Sequence, residues 1–106
     1  MLNQIVLVGR VVDLKKDNEN NKNGILNIAV PRSFKNTEGI YETDFIKISL
    51  KDNLFNNASE YLKKGDLIGI KGRLQNINDI IIVIAEKLTF LSSNNANNKN
   101  NNEGER

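Results

Sequence analysis

The chain of 106 residues contains no cysteine and no histidine. Missing thiols remove disulfides and thiolate nucleophiles, and without imidazole most zinc sites and the usual neutral-pH general base go as well. No Gly-rich phosphate loop followed by Lys-Ser or Lys-Thr is present. The carboxylates Asp13, Glu42, Asp44, Asp66 and Glu86 scatter over strand ends and loops, without the clustering that a metal-dependent nuclease needs. A binding protein with no catalytic residue, metal or other cofactor is therefore expected. No apolar run approaches the length needed to cross a bilayer. The opening Met1-Leu2-Asn3-Gln4-Ile5-Val6 lacks the basic start and small-residue cleavage site of a secretory signal, so the expected address is cytoplasmic. Aromatic residues are scarce, six in all, and there is a single proline, Pro31.

What is present fits one small domain. The net charge of +2 favours polyanions only weakly, so the placement of the charges matters more than their sum. From Ser92 the chain turns to Asn-rich sequence with almost nothing to bury; residues 92–106 read as a flexible tail and residues 1–91 as the folded unit. The tail's charges cancel, Lys99 and Arg106 against Glu103 and Glu105. A polar run from Lys15 to Asn23, ending at Gly24, reads as a hairpin loop.

Short strands at regular spacing, with one helix inserted, account for the folded part. Ile5 to Asp13, Ile25 to Ser33 and Asp44 to Lys51 carry strand character. In the second, Leu26, Ile28 and Val30 form the apolar face, and Pro31 demands an exposed or bulged position. In the third, Ile46, Ile48 and Leu50 face one way, while Phe45, Lys47, Ser49 and Lys51 face the other. Between Asp52 and Gly65 the apolar period lengthens to that of a helix, with Leu54, Phe55, Ala58, Tyr61 and Leu62 on one face. Asp52 or Asn53 can cap its start, and Lys63-Lys64-Gly65 suits its end. Leu67 to Gln75 and Ile80 to Phe90 resume strands, and Ile80-Ile81-Ile82-Val83-Ile84-Ala85 is apolar on both faces. This order predicts an all-β fold: a five-stranded Greek-key barrel of the OB type with one α-helix between strands 3 and 4. Gly9, Gly69 and Gly72 fit sharp strand bends. Spare apolar surface on the first and last strands points to self-association.

Three of the six aromatics, Phe34, Tyr41 and Phe45, fall within one largely polar stretch. An outward Phe45 between cations exposes apolar area for no gain unless something covers it. Unpaired bases stack on rings while phosphates meet ammonium or guanidinium groups, so single-stranded nucleic acid suits this surface. Alternation with Ile70, Gly72 and Leu74 adds Lys71 and Arg73 to an outer face. The same pattern also suits an oligomer contact at Phe45 and a cross-strand pair between Phe34 and Tyr41. Gly69-Ile70-Lys71-Gly72 matches the short loop of some RNA-binding modules, but it lies inside a strand pattern and reads as barrel curvature.

Asn3-Gln4-Ile5-Val6-Leu7-Val8-Gly9-Arg10, then Val30-Pro31-Arg32-Ser33-Phe34-Lys35 with Asn36-Thr37-Glu38-Gly39 and Thr43-Asp44-Phe45-Ile46, then Ala58 to Asp66 and Gly72-Arg73-Leu74 occur in this order. Over residues 1–91 the chain resembles the bacterial single-stranded-DNA-binding proteins. The resemblance implies an OB-fold subunit, usually a homotetramer, that wraps single-stranded DNA without strong sequence preference in replication, recombination and repair. Phe34 and Phe45 match stacking positions of that family, and Lys47 and Lys64 match basic positions facing the strand. The binding set expected is Phe34, Tyr41 and Phe45 with Arg10, Arg32, Lys35, Lys47, Lys51, Lys64, Lys71 and Arg73. The chain departs from the family at Lys51, where many members carry another stacking Phe, and in the short Asn76-Ile77-Asn78-Asp79 hairpin. Its tail lacks the acidic tip that recruits replication enzymes, which implies a short paralogue. The competing function is a small OB adaptor in a primosome-like or conjugative complex, its aromatic face covered by protein.

Overall fold

The computed structural model describes residues 1–17 and 22–93. The elements run β1 (Ile5–Lys16), β2 (Gly24–Lys35), β3 (Tyr41–Leu50), α1 (Asp52–Tyr61), β4 (Leu67–Ile77) and β5 (Ile80–Ser92). They close into a barrel in the order β1-β2-β3-β5-β4. This is the expected architecture, with β1 and β5 reaching beyond their expected ends and β2 and β3 extended together past the barrel. The expected tail from residue 94 onward, and residues 18–21 of the β1–β2 loop, lie outside the described residues.

Period-two patterning builds the core. Leu26 and Ile28 of β2, Ile48 and Leu50 of β3, and Ile68 and Ile70 of β4 are fully buried, as their alternation with polar residues dictates. Phe55 and Ala58 of α1 complete this cluster, so the helix plugs the barrel with the side chains its period selects. Closure depends on a short parallel join, Ile48 opposite Val83 and Ser49 opposite Ile84. The bulge in β4–β5 between Lys71 and Gly72 presses Gly72 against the Ile84 carbonyl, where a Cβ would collide with backbone. Gly9 likewise leaves no room for a Cβ against the Ala29 carbonyl, whereas Gly69 has ordinary space around it. Curvature therefore explains Gly9 and Gly72 but not Gly69.

The helix differs from expectation at both ends. Its N-cap is Lys51, in extended conformation and without a side-chain cap bond, and the Asp52 N–H donates to Asn23 Oδ1 at 3.2 Å. The β1–β2 loop thus supplies an acceptor for the first helical N–H, and Asp52, expected as a cap, is the first helical residue with a left-handed φ of 46°. The helix stops at Tyr61 with Leu62 as C-cap, and Lys63 to Asp66 form a separate turn held by Asp66 N–H to Lys63 O at 3.1 Å. Tyr61, expected on the buried face, is exposed.

Candidate nucleic-acid interface

β2 and β3 continue past the barrel as a two-stranded arm. Pro31 pairs with Thr43 and Lys35 with Tyr41, so three residues, 32–34, oppose Glu42 alone. The proline that cannot donate sits at the start of this bulge, as its missing N–H requires. The arm's tip is a tight turn: Asn36 Oδ1 accepts from Glu38 N–H at 2.8 Å and Ile40 N–H at 3.0 Å, and Gly39 takes a φ of 79° that favours glycine.

Alternation along β3 places Tyr41, Thr43, Phe45 and Lys47 on one face and Glu42 and Asp44 on the other. Phe45 is 71% exposed and Tyr41 57% exposed. Lys35 stands opposite Tyr41 with its Nζ 5.7 Å from the ring centroid, a cation over a π face. Lys47 and Lys51 extend the row toward the helix, both exposed and without an ion pair among the described residues. Phe45 also opposes Ala29, which in turn opposes Arg10. With strands about 4.8 Å apart, Arg10 lies roughly 10 Å from Phe45 across a small Ala29 floor. Its guanidinium donates to the Gly65 carbonyl at 3.0 Å, beside Lys64 in the turn after α1.

The remaining expected residues lie elsewhere. Phe34 is 62% exposed and lies within the 32–34 bulge; it does not pair with Tyr41, whose partner is Lys35. Arg32 is engaged in a clasp. Its Nε and Nη2 donate to the two Asp44 carboxylate oxygens at 3.1 and 2.9 Å, and its Nη1 to Glu42 Oε1 at 2.7 Å. The hydrogen bonds from Arg32 hold the Asp44 carboxyl below the usual carboxylate range, and the same contact raises the guanidinium. Arg73 is similarly engaged, with Gln75 Oε1 at 3.1 Å and Glu86 Oε2 at 3.3 Å. Lys71 stands between Val6 and Lys87, on the β1–β4–β5 wall rather than beside β3. Alternation marked Lys71 and Arg73 in the sequence, but the partners of Arg32 and Arg73, brought together by pairing, were not visible there. The sequence reasoning also passed over the aliphatic residues flanking Lys47 and Lys51, namely Ile25, Ile77, Ile82 and Ile84, which line one groove with them. The doubly apolar run of β5 was the available signal.

A closed five-stranded barrel with an exposed aromatic and cationic face on strands 2 and 3 defines an OB-fold protein, an architecture that uses that face for oligonucleotides and oligosaccharides. Residues 2–79 match the single-strand binding protein family, and the chain belongs to that family. It is 36% identical over 106 residues to single-stranded DNA-binding protein 1 of Lactococcus lactis, covering 89% of this chain and 71% of that protein. It is 42% identical over 78 residues to single-stranded DNA-binding protein 4 of Streptococcus agalactiae, covering 71% of this chain and 56% of that protein, so it spans little more than half the length of that relative. Among solved structures, a Plasmodium falciparum SSB complex with ssDNA superposes with a TM-score of 0.66 at 27% identity, over 87% of this chain and 96% of that one. A small single-stranded DNA binding protein from Mycoplasma pneumoniae shares the fold, with a TM-score of 0.68 at 23% identity, over 83% and 92%. Membership places the chain among binding proteins rather than enzymes. No helix of the described residues is long and apolar enough to cross a membrane.

Proposed function

We propose that this protein binds single-stranded DNA without sequence preference, protecting it in replication, recombination or repair, through base stacking on Phe45 and Tyr41 and phosphate contacts from Lys35, Lys47, Lys51 and Arg10. The carrying observation is Phe45, 71% exposed on a strand anchored in the barrel, with unpaired lysines in line beside it. A ring held open to water by a rigid strand is pre-organised for a flat apolar partner. Phe34 adds a further exposed ring on the arm. Arg32 and Arg73, held by carboxylates, and Lys71, on the β1–β4–β5 wall, contribute less, while Lys64 stands at the Arg10 end of the path. The binding unit is the barrel and its arm, expected as residues 1–91 and extended one residue by β5, which ends at Ser92. The names of the relatives support this reading, and nothing in the comparisons supports the adaptor alternative.

Self-association is part of the reading. β2 joins β1 only from Arg10 onward, so the opposite edge of Ile5–Gly9 carries no strand among the described residues, and Val6 and Val8 are exposed there. An open apolar edge invites pairing with a second copy, as a dimer or, by further stacking, a tetramer. The address consistent with this role is the cytoplasmic nucleoid. Fluorescence anisotropy of labelled oligo(dT) and of the matching duplex, at rising salt, tests the function. Tighter single-strand binding that weakens with salt is the expected result; equal affinity for both substrates overturns it.

A further inference from the structure

Arg32 lies on the arm but not on its ring-bearing face. Its Nε and Nη2 donate to both Asp44 carboxylate oxygens and its Nη1 to Glu42 Oε1, and these two carboxylates alternate with Tyr41, Thr43 and Phe45 along β3. The clasp therefore backs the face that carries the rings. Val30 opposite Asp44 and Pro31 opposite Thr43 are the last pairs in the register that the barrel anchors, and pairing resumes only with Lys35 opposite Tyr41. In between, residues 32–34 take no partner in the β2–β3 ladder. Arg32 spans that gap, holding Asp44 on the anchored side and Glu42 within it.

We infer that Arg32 is a positioning residue: by closing on Asp44 and Glu42 it fixes the bulge, so that Lys35 and Tyr41 stand in line with Phe45 before any strand of DNA arrives. This rests on the single-strand reading above and adds to it a residue that touches no DNA. Tyr41 and Phe45 are about 13 Å apart on an extended strand, so one run of nucleotides meets both only when the arm keeps its course. An arm free to swing is ordered at the moment of binding, and that ordering weakens affinity. A planar guanidinium bonded to both oxygens of one carboxylate sets direction as well as distance, which an ammonium in its place does not. The side chains of Arg32, Glu42 and Asp44 are 38%, 50% and 47% exposed, so the clasp adds little to the stability of the barrel. Its effect is local to the arm.

Charge and position predict opposite signs at Asp44. Asp44→Asn removes a negative charge from the arm and releases Arg32, and both changes favour phosphate; the loosened arm disfavours binding. Anisotropy titration of oligo(dT) with each full-length variant is expected to show binding weakened about two- to threefold by Asp44→Asn and about three- to tenfold by Arg32→Gln, the latter at an unchanged salt slope. Arg32→Lys keeps the charge but not the fork and is expected to stay weak. In a chain already carrying Lys35→Gln and Tyr41→Ala, Arg32→Gln is expected to weaken binding by less than about twofold, because the residues it positions are gone. Tighter binding by Asp44→Asn, or full affinity in Arg32→Lys, shows that charge acts rather than position and overturns the inference. An undiminished loss from Arg32→Gln in the chain stripped of Lys35 and Tyr41 overturns it too, and so does a drop of many degrees in the melting midpoint of Arg32→Gln, which assigns the clasp to the fold. Failure of the unmodified chain to bind oligo(dT) removes the single-strand reading and the inference together; equal binding by the unmodified chain and Arg32→Gln removes the inference alone.

Discussion

Two phenylalanines ten residues apart, Phe45 and Phe55, provide a sharp test because the fold places the same side chain in opposite environments. Phe45 is 71% exposed and Phe55 5% exposed. Phe55 lies in the core cluster with its ring on Gly24, where any Cβ would strike it. Truncating it to alanine removes a buried ring and leaves a cavity, at a cost of about 3 to 5 kcal/mol. Against a total stability of roughly 5 to 15 kcal/mol for a small domain, that is a large share. At about 4 to 8 °C per kcal/mol for a domain of this size, the melting midpoint of Phe55→Ala falls by roughly 12 to 40 °C. Phe45→Ala removes a side chain that touches mostly water, so its stability stays within about 0.5 kcal/mol. Its loss appears in binding: one base stack is worth about 1 to 3 kcal/mol, so oligo(dT) affinity falls about 5- to 150-fold. Thermal melting by circular dichroism and anisotropy titration, run on both variants, read the two effects separately. Unchanged oligo(dT) affinity in a folded Phe45→Ala protein refutes the stacking argument. A drop of many degrees in its melting midpoint refutes the claim that the ring serves a ligand rather than the fold.

Lys47→Gln is expected to lower the slope of log affinity against log salt by about 0.7, the share of one phosphate contact on a single strand. Arg32→Gln leaves that slope unchanged, because the guanidinium is already held by Asp44 and Glu42; an equal drop in both variants contradicts the clasp. The depressed Asp44 carboxyl sets an acid limit for the arm. Its contribution is fully present above the ordinary carboxylate value and is lost as pH falls through the lowered one, while Arg32 stays charged throughout. The Asp44 carboxyl carbon signal should therefore titrate at lower pH in the unmodified protein than in Arg32→Gln. Gly72→Ala drives a methyl group into the Ile84 carbonyl and is expected to destabilise the barrel by more than about 1 kcal/mol, read by urea midpoint, whereas Gly69→Ala is tolerated. Val8→Asp, on the open edge of β1, is expected to reduce the assembly's mass in light scattering with little change in helix or strand content.

The order of elements was written in the chain itself, because side-chain period is a local property. Leu26, Ile28, Ile48 and Leu50 announced their faces, and Leu54, Phe55 and Ala58 announced a helix, whatever lay elsewhere in the molecule. Phe45's outward direction followed from the same alternation. Pairing is not local, and only the closed barrel decided what depends on it. Arg32 and Arg73 look like any other surface cations until strand register sets carboxylates beside them. The Asp52 N–H at the helix start finds Asn23 because a loop 29 residues away arrives there. A bulge at 32–34 sets Lys35, and not Phe34, opposite Tyr41. The groove of isoleucines beside Lys47 and Lys51 exists only because β5 joins β3 in parallel. Its residues come from four strands, and no window along the sequence contains them.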